Sequence, residues 1–199
     1  MVTQSDTHFF TNWAKERLDE MDAAVTSLEG KAGEVQAGLS DKAKTLLGDL
    51  RKQYDDFQDT MKKQSGANEA ALIQAKTRLE ADWRSFEADV KKYVESFGEQ
   101  IGYQQTIFKH QADAQLKAWR EAADKLGNDA KKFASERRDD IDGAVKRMSA
   151  DAVEAEKKLE KLSQAGTESW SALMSALTET RAAFDRANEA AREAFRRAV

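Results

Sequence analysis

Apolar residues recur along this chain in alternating steps of three and four. The first run is Ala14, Leu18, Met21, Val25, Leu28, Ala32, Val35 and Leu39, a spacing that puts every member on one face of a helix. Beyond Leu39 it continues through Ala43, Leu46, Leu50, Tyr54, Phe57 and Met61, where consecutive steps of four relax the heptad toward an 11-residue repeat. A second run reads Leu72, Ala75, Leu79, Trp83, Phe86, Val90, Val94, Phe97 and Ile101, takes a polar step at Gln105, and resumes at Phe108, Ala112, Leu116, Trp119, Ala123, Leu126, Ala130 and Phe133. After a second polar step at Arg137 it passes through Ile141, Ala144 or Val145, Met148, Ala152, Ala155, Leu159 and Leu162. A last run, Trp170, Leu173, Leu177, Phe184, Ala187, Ala191 and Phe195, ends beside Arg196 and Arg197, cations that suit the negative end of a helix dipole.

The interruptions predict where helices stop. In Gln64-Ser65-Gly66-Ala67-Asn68-Glu69, Gly66 suits a left-handed C′ position and Asn68 an N-cap. In Gln164-Ala165-Gly166-Thr167-Glu168-Ser169, Gly166 and Thr167 take the same two parts. Leu126-Gly127-Asn128-Asp129 also resembles a stop, yet the apolar phase survives Gly98, Gly102 and Gly127. The pattern therefore predicts helices over 7–64, 68–164 and 168–198, about 87, 145 and 46 Å long at 1.5 Å per residue. A turn at Gly127 is the rival reading and makes four. The expected fold is all-α: one elongated domain over 1–199, an antiparallel coiled coil or helical bundle of three or four long helices. Narrow seams imply modest burial per residue, so self-association is expected to complete the core.

Composition agrees with this picture. The 199 residues contain no proline and no cysteine, and 34% are charged, against a typical value of about 25%. Proline breaks helix interiors, so its absence suits a chain kept in helices throughout. Without cysteine there is no disulfide framework, thiolate metal site or thiol nucleophile. No apolar run nears the roughly 18–20 residues that span a bilayer. The start, MVTQSDTHFFTNW, lacks a basic then apolar leader, so a cytoplasmic location is expected. Net charge is −4, and the basic pairs Lys131-Lys132, Arg137-Arg138, Lys146-Arg147 and Lys157-Lys158 are interleaved with acids. They read as solvated helix faces, and nucleic acid is not an expected partner.

Candidate chemistry is sparse. Di-metal bundles require Glu-x-x-His pairs, but the residues three before His8 and His110 are Ser5 and Ile107. His110 with Asp113 is at most a weak pair. No phosphate-binding glycine loop or nucleophile elbow occurs, and Asp55-Asp56 and Asp139-Asp140 are sequence neighbours that point to different helix sectors. No catalytic, cofactor or metal residue is therefore expected, and the chain reads as non-enzymatic. Trp83 and Phe97, Trp119 and Phe133, and Trp170 and Phe184 are each 14 residues apart, which fits aromatics repeated along one seam better than a duplicated ligand unit.

What remains is the amphipathic helix, which pairs with other helices or lies on an apolar surface. The stripe is narrow and alanine-rich over 39–64 and 130–164. It is richer at the two ends, where Phe9, Phe10, Trp13, Trp170, Leu173, Leu177, Phe184 and Phe195 are the candidate surface or lipid contacts, although Arg181 and Asn188 interrupt the last stripe. This charged, alanine-rich pattern of mixed 7- and 11-residue spacing resembles exchangeable apolipoprotein-type proteins and the bacterial phasins that coat polyester granules. The resemblance implies a chain at the periphery of a membrane, lipid particle or granule. Apolipoprotein arrays are usually punctuated by proline, which is missing here. The first expectation is a coiled-coil scaffold or adaptor that pairs with itself or with other helical proteins; the alternative is a surface-coating protein.

Overall fold

The computed structural model of the chain describes residues 4–32, 40–64, 66–97, 101–133, 135–165 and 169–198. Among them it shows six helices and no strand: α1 (Gln4–Lys31), α2 (Ser40–Lys63), α3 (Glu69–Phe97), α4 (Ile101–Ala130), α5 (Ser135–Ala165) and α6 (Trp170–Ala198). Helices of 24 to 31 residues are about 36 to 46 Å long. The all-α bundle is as expected, but the count of three or four long helices and the 145 Å central helix are not.

Two of the expected boundaries are found. Gly66 has φ +81°, the left-handed conformation that only glycine adopts at little cost. Asn68 caps α3, its Oδ1 accepting from the amide of Ala71 at 2.9 Å. At α6 the cap is Ser169, whose Oγ accepts from the amide of Ala172 at 3.2 Å; Gly166 and Thr167 lie outside the described residues.

The other boundaries correct the sequence reading. The helix expected over 7–64 is α1 and α2, with 33–39 outside the described residues. The helix expected over 68–164 is α3, α4 and α5. Gly127 does lie within a helix, as its phase indicated, but α4 ends three residues later. There the amides of Lys132 and Phe133 donate to the carbonyls of Asp129 and Ala130, each at 3.1 Å, and the chain turns back. Phase continuity failed to reveal this for a geometric reason. A connector of about one helical turn preserves the three-and-four count, and α4 and α5 lay their stripes on the same core, so a hairpin and a continuous helix look alike.

Burial follows each helix's position in the bundle. α5 buries a thin line, Ile141, Ala144, Met148, Ala152, Ala155 and Leu159, and packs chiefly against α4 and α6. α2 packs chiefly against α1 and α3; it buries Leu47, while Leu46, named in the seam reading, is only partly covered. By contrast α1, α4 and α6 bury broad sectors and all contact one another. Cross-helix pairs give the directions. Lys15 with Glu121 and Ser27 with His110 make α1 antiparallel to α4, and Phe9 with Phe195 and Glu20 with Arg181 make it antiparallel to α6. Two triples of consecutive helices, α1–α3 and α4–α6, thus meet through α1, α4 and α6, and the pairing of α1 with α4 is the most extensive in the bundle. The apolar stripes meet in one core within a single chain. Aromatic residues of the 14-residue spacing serve as seam layers: Trp119 of α4 stands edge-on to Phe184 of α6 at 5.5 Å, and Phe133, in the turn after α4, to Phe195 of α6 at 5.6 Å.

Candidate functional site

The eight apolar candidates are all in this core. Phe9, Phe10, Trp13, Trp170, Leu173, Leu177, Phe184 and Phe195 are each at most 7% exposed. The structure brings Phe9 against Phe195 at 5.5 Å and Phe10 against Trp13 at 6.2 Å, near one end of the bundle. Trp170 and Leu173 are at the far end of α6. As folded, all eight are buried, although Phe9, Phe10 and Trp13 also line a shallow cleft.

The feature that sets this core apart is polar. The buried polar and charged residues among those described are Asn12, Glu16, Arg17, Glu20 and Ser27 of α1, Gln111 and Gln115 of α4, and Thr180, Arg181 and Asn188 of α6. Every one is on the three helices that join the halves. Helical spacing explains the grouping: Asn12, Glu16 and Glu20 are steps of four, so they share one sector of α1. On α6, Arg181, Asp185 and Asn188 occupy the matching sector.

Two guanidiniums organise the seam. Arg17 donates to both oxygens of Asp185 at 2.8 and 2.6 Å, and its Nη1 also reaches Glu16 Oε2 at 2.6 Å. Arg181 donates from Nε and Nη2 to Glu20 at 3.2 and 2.6 Å, and from Nη1 to Glu87 of α3 at 2.8 Å. Each cation also covers an indole, Arg17 over Trp13 at 5.1 Å and Arg181 over Trp83 at 4.4 Å, a favourable use of a desolvated guanidinium. Neutral donors complete the network. Gln115 Nε2 donates to Glu20 at 2.8 Å and to the Leu177 carbonyl at 3.1 Å, the Thr180 hydroxyl donates to Gln115 Oε1 at 2.7 Å, and Asn188 donates to the Phe9 carbonyl at 3.0 Å.

The electrostatics are unbalanced. Four carboxylates, those of Glu16, Glu20, Glu87 and Asp185, face the two guanidiniums. Burial pushes the Glu16 carboxyl up to about 7; Arg17 and Arg181 oppose the rise while Glu20 and Asp185 add to it. Burial disfavours the Arg181 charge, but Glu20 and Glu87 outweigh it and hold the guanidinium above its ordinary value.

The structure supplies no metal constellation to set beside this seam: among the described residues no group of three or more His, Asp or Glu side chains is placed to hold an ion. His110 is hydrogen-bonded to the Ser27 hydroxyl at 2.5 Å instead, and His8 lies 3.2 Å from Asp129. No described helix is long and apolar enough to cross a membrane. Sequence reasoning registered Arg181 and Asn188 as breaks in a stripe but missed Glu16, Arg17, Glu20, Gln111 and Gln115. Their signal was the four-residue spacing on the Phe9 and Trp13 side of α1, which reads as solvent-facing until four neighbouring helices are known to surround it. Comparison with protein-family models, with curated proteins and with solved structures finds no match.

Proposed function

We propose that this chain is a non-enzymatic amphipathic-helix protein that coats an apolar surface, the periphery of a membrane, a lipid particle or a polyester granule, by parting along its polar seam. The observation that carries this reading is the confinement of the buried polar residues to α1, α4 and α6. Dry ion pairs stabilise weakly because each ion gives up its hydration. Parting the halves returns Glu16, Arg17, Glu20 and Arg181 to water, which offsets part of the cost. The apolar stripes then lose their partners together, and an apolar surface replaces them. The chain joins the halves only between α3 and α4, consecutive helices that make little contact. The cytoplasmic face of such a surface is the expected location.

The runner-up is a closed-bundle adaptor that pairs with another helix or with a second copy. One observation favours it: Ile73 of α3 is 57% exposed beside a shallow cleft lined by Phe10, Trp13 and Leu72.

The absence of cysteine makes a direct test available. Ser27→Cys with His110→Cys, joined by a short bis-maleimide, ties α1 to α4 across the seam. The uncrosslinked protein is expected to adsorb to a triolein emulsion stabilised with phosphatidylcholine, and the crosslinked one to lose that adsorption. Undiminished adsorption after crosslinking overturns seam parting. If the crosslinked protein instead sediments as a dimer that Ile73→Asp converts to a monomer, the closed-bundle adaptor is the better account.

A further inference from the structure

Glu16 receives fewer hydrogen-bond donors than Glu20 or Asp185. Arg17 is engaged with both oxygens of Asp185, and Arg181 with both oxygens of Glu20 and with Glu87. Glu16 receives one shared bond, from Arg17 Nη1 to Oε2. Its other oxygen, Oε1, is fully buried and has no hydrogen-bond partner among the described residues. The residue is 1% exposed.

Among the described residues, no other element supplies the missing charge. From α6 the facing groups are Arg181 and Asp185, the first already matched and the second another anion. From α3 they are Glu87, which binds Arg181, and Lys76, which lies over the Trp13 ring at 5.4 Å. α4 contributes the neutral Gln111 and Gln115 to the interior, while its Glu121 pairs outside with Lys15. α2 meets α1 further along, through Arg51 with Asp22 and Glu29. A second carboxylate, Glu20, is one turn away on the same face of α1. An ionised carboxylate so placed shares its one counter-charge and is shut off from bulk solvent, a costly state for a buried anion.

We infer that Glu16 is a proton-operated latch on the seam: the closed bundle holds a proton on this carboxyl, and loss of the proton weakens closure of the two halves. The direction of its titration agrees, since burial, reinforced by Glu20 and Asp185, raises the carboxyl to about 7. Parting the seam exposes it to water, where a glutamate ionises near 4.5. Below pH 4.5 both forms are protonated and the latch contributes fully. Between 4.5 and 7 the closed form keeps a proton that the parted form releases, so closure weakens as pH rises. Above 7 the contribution is gone. The proton is the only species exchanged, and it passes to solvent.

The test is urea unfolding of the full chain at pH 5.5 and pH 8.5. The wild-type ratio of closed to unfolded protein is expected to fall at least about tenfold between them. Glu16→Gln keeps an oxygen for Arg17 and carries no titratable proton, and it is expected to lose most of that dependence. His8 and His110 are common to both proteins, so the difference between the profiles isolates Glu16. An E16Q profile as steep as the wild type overturns the proposal. If E16Q does not fold, carbon NMR of the wild-type glutamate carboxyls decides: a Glu16 midpoint near 7 supports the latch, and one near 4.5 overturns it.

Discussion

Arg181 of α6 grips Glu20 of α1 through Nε and Nη2, at 3.2 and 2.6 Å, across 161 residues of sequence. Glu20 is 0% exposed, so removing the cation leaves a carboxylate deep in the core with only the Gln115 amide beside it. Arg181→Met is expected to cost about 3–5 kcal/mol. Glu20→Leu with Arg181→Met is expected to recover most of that loss, because an apolar pair needs no desolvation and Gln115 keeps the Leu177 carbonyl as its acceptor. Urea titration of the single and double variants checks this, and a double variant no more stable than R181M counts against it.

Two glycines should respond in opposite directions to the same substitution. Gly127 is inside α4, and a methyl there meets Val145 Cγ1 at 3.6 Å, an ordinary contact. Gly127→Ala should therefore raise stability by about 0.5–1 kcal/mol, the usual gain of alanine over glycine within a helix. Gly66 has φ +81° and open space around it, so no steric clash arises, but an L side chain strains its backbone. Gly66→Ala is expected to cost about 1–2 kcal/mol. Thermal melts of both variants test the α4 assignment directly: a continuous helix through 66 or a turn at 127 reverses the signs.

Acid should weaken the bundle through a different group. Burial works against the Asp129 charge, but Lys132 and His8 outweigh it and hold the carboxyl below the ordinary aspartate value of 3.8. A depressed carboxyl stabilises the fold above the unfolded value, and that contribution is lost as pH falls through the lower, folded value. Between pH 4 and pH 2.5 the melting temperature of the wild type should therefore drop, and Asp129→Asn should flatten the drop. Because Glu16 acts in the opposite direction, the highest stability is expected between the two transitions, near pH 4 to 5. An Asp129→Asn protein with an unchanged acid limb refutes the assignment.

Residues differ in how much of this arrangement could be read from sequence. Gly66 and Asn68 announced a boundary because left-handed backbone and N-capping are local chemistry, settled within a few residues. The break between α3 and α4 was not announced, and that between α4 and α5 was marked only by the stop signal at Leu126-Gly127-Asn128-Asp129, a few residues early, because short connectors kept the apolar count in phase. Two marks were nevertheless present: the polar steps at Gln105 and Arg137 fall just after the starts of α4 and α5. Arg181 and Asn188 were legible as anomalies, since a charge in an apolar stripe needs a partner. Glu16 and Glu20 were not, because glutamate on a charged helix is ordinarily solvated. Only the neighbours of α1, brought in by contacts such as Glu20 with Gln115 and with Arg181, 95 and 161 residues apart, turn that face inward.

The adjacency of α1 and α6 also bears on how the molecule is made. As the chain leaves the ribosome, α1 is the first of these helices to emerge, and α6, which supplies partners for Glu20, Arg17, Phe9 and Asn12's side of the helix, is the last. Domains ordinarily consolidate from the N-terminal side during synthesis. Here α1, α2 and α3 emerge early, but the α1 face that carries Arg17 and Glu20 lacks its α6 partners until translation is nearly complete. Buried carboxylates on that face keep the waiting half hydrated, where a wholly apolar face would invite premature association with other nascent chains.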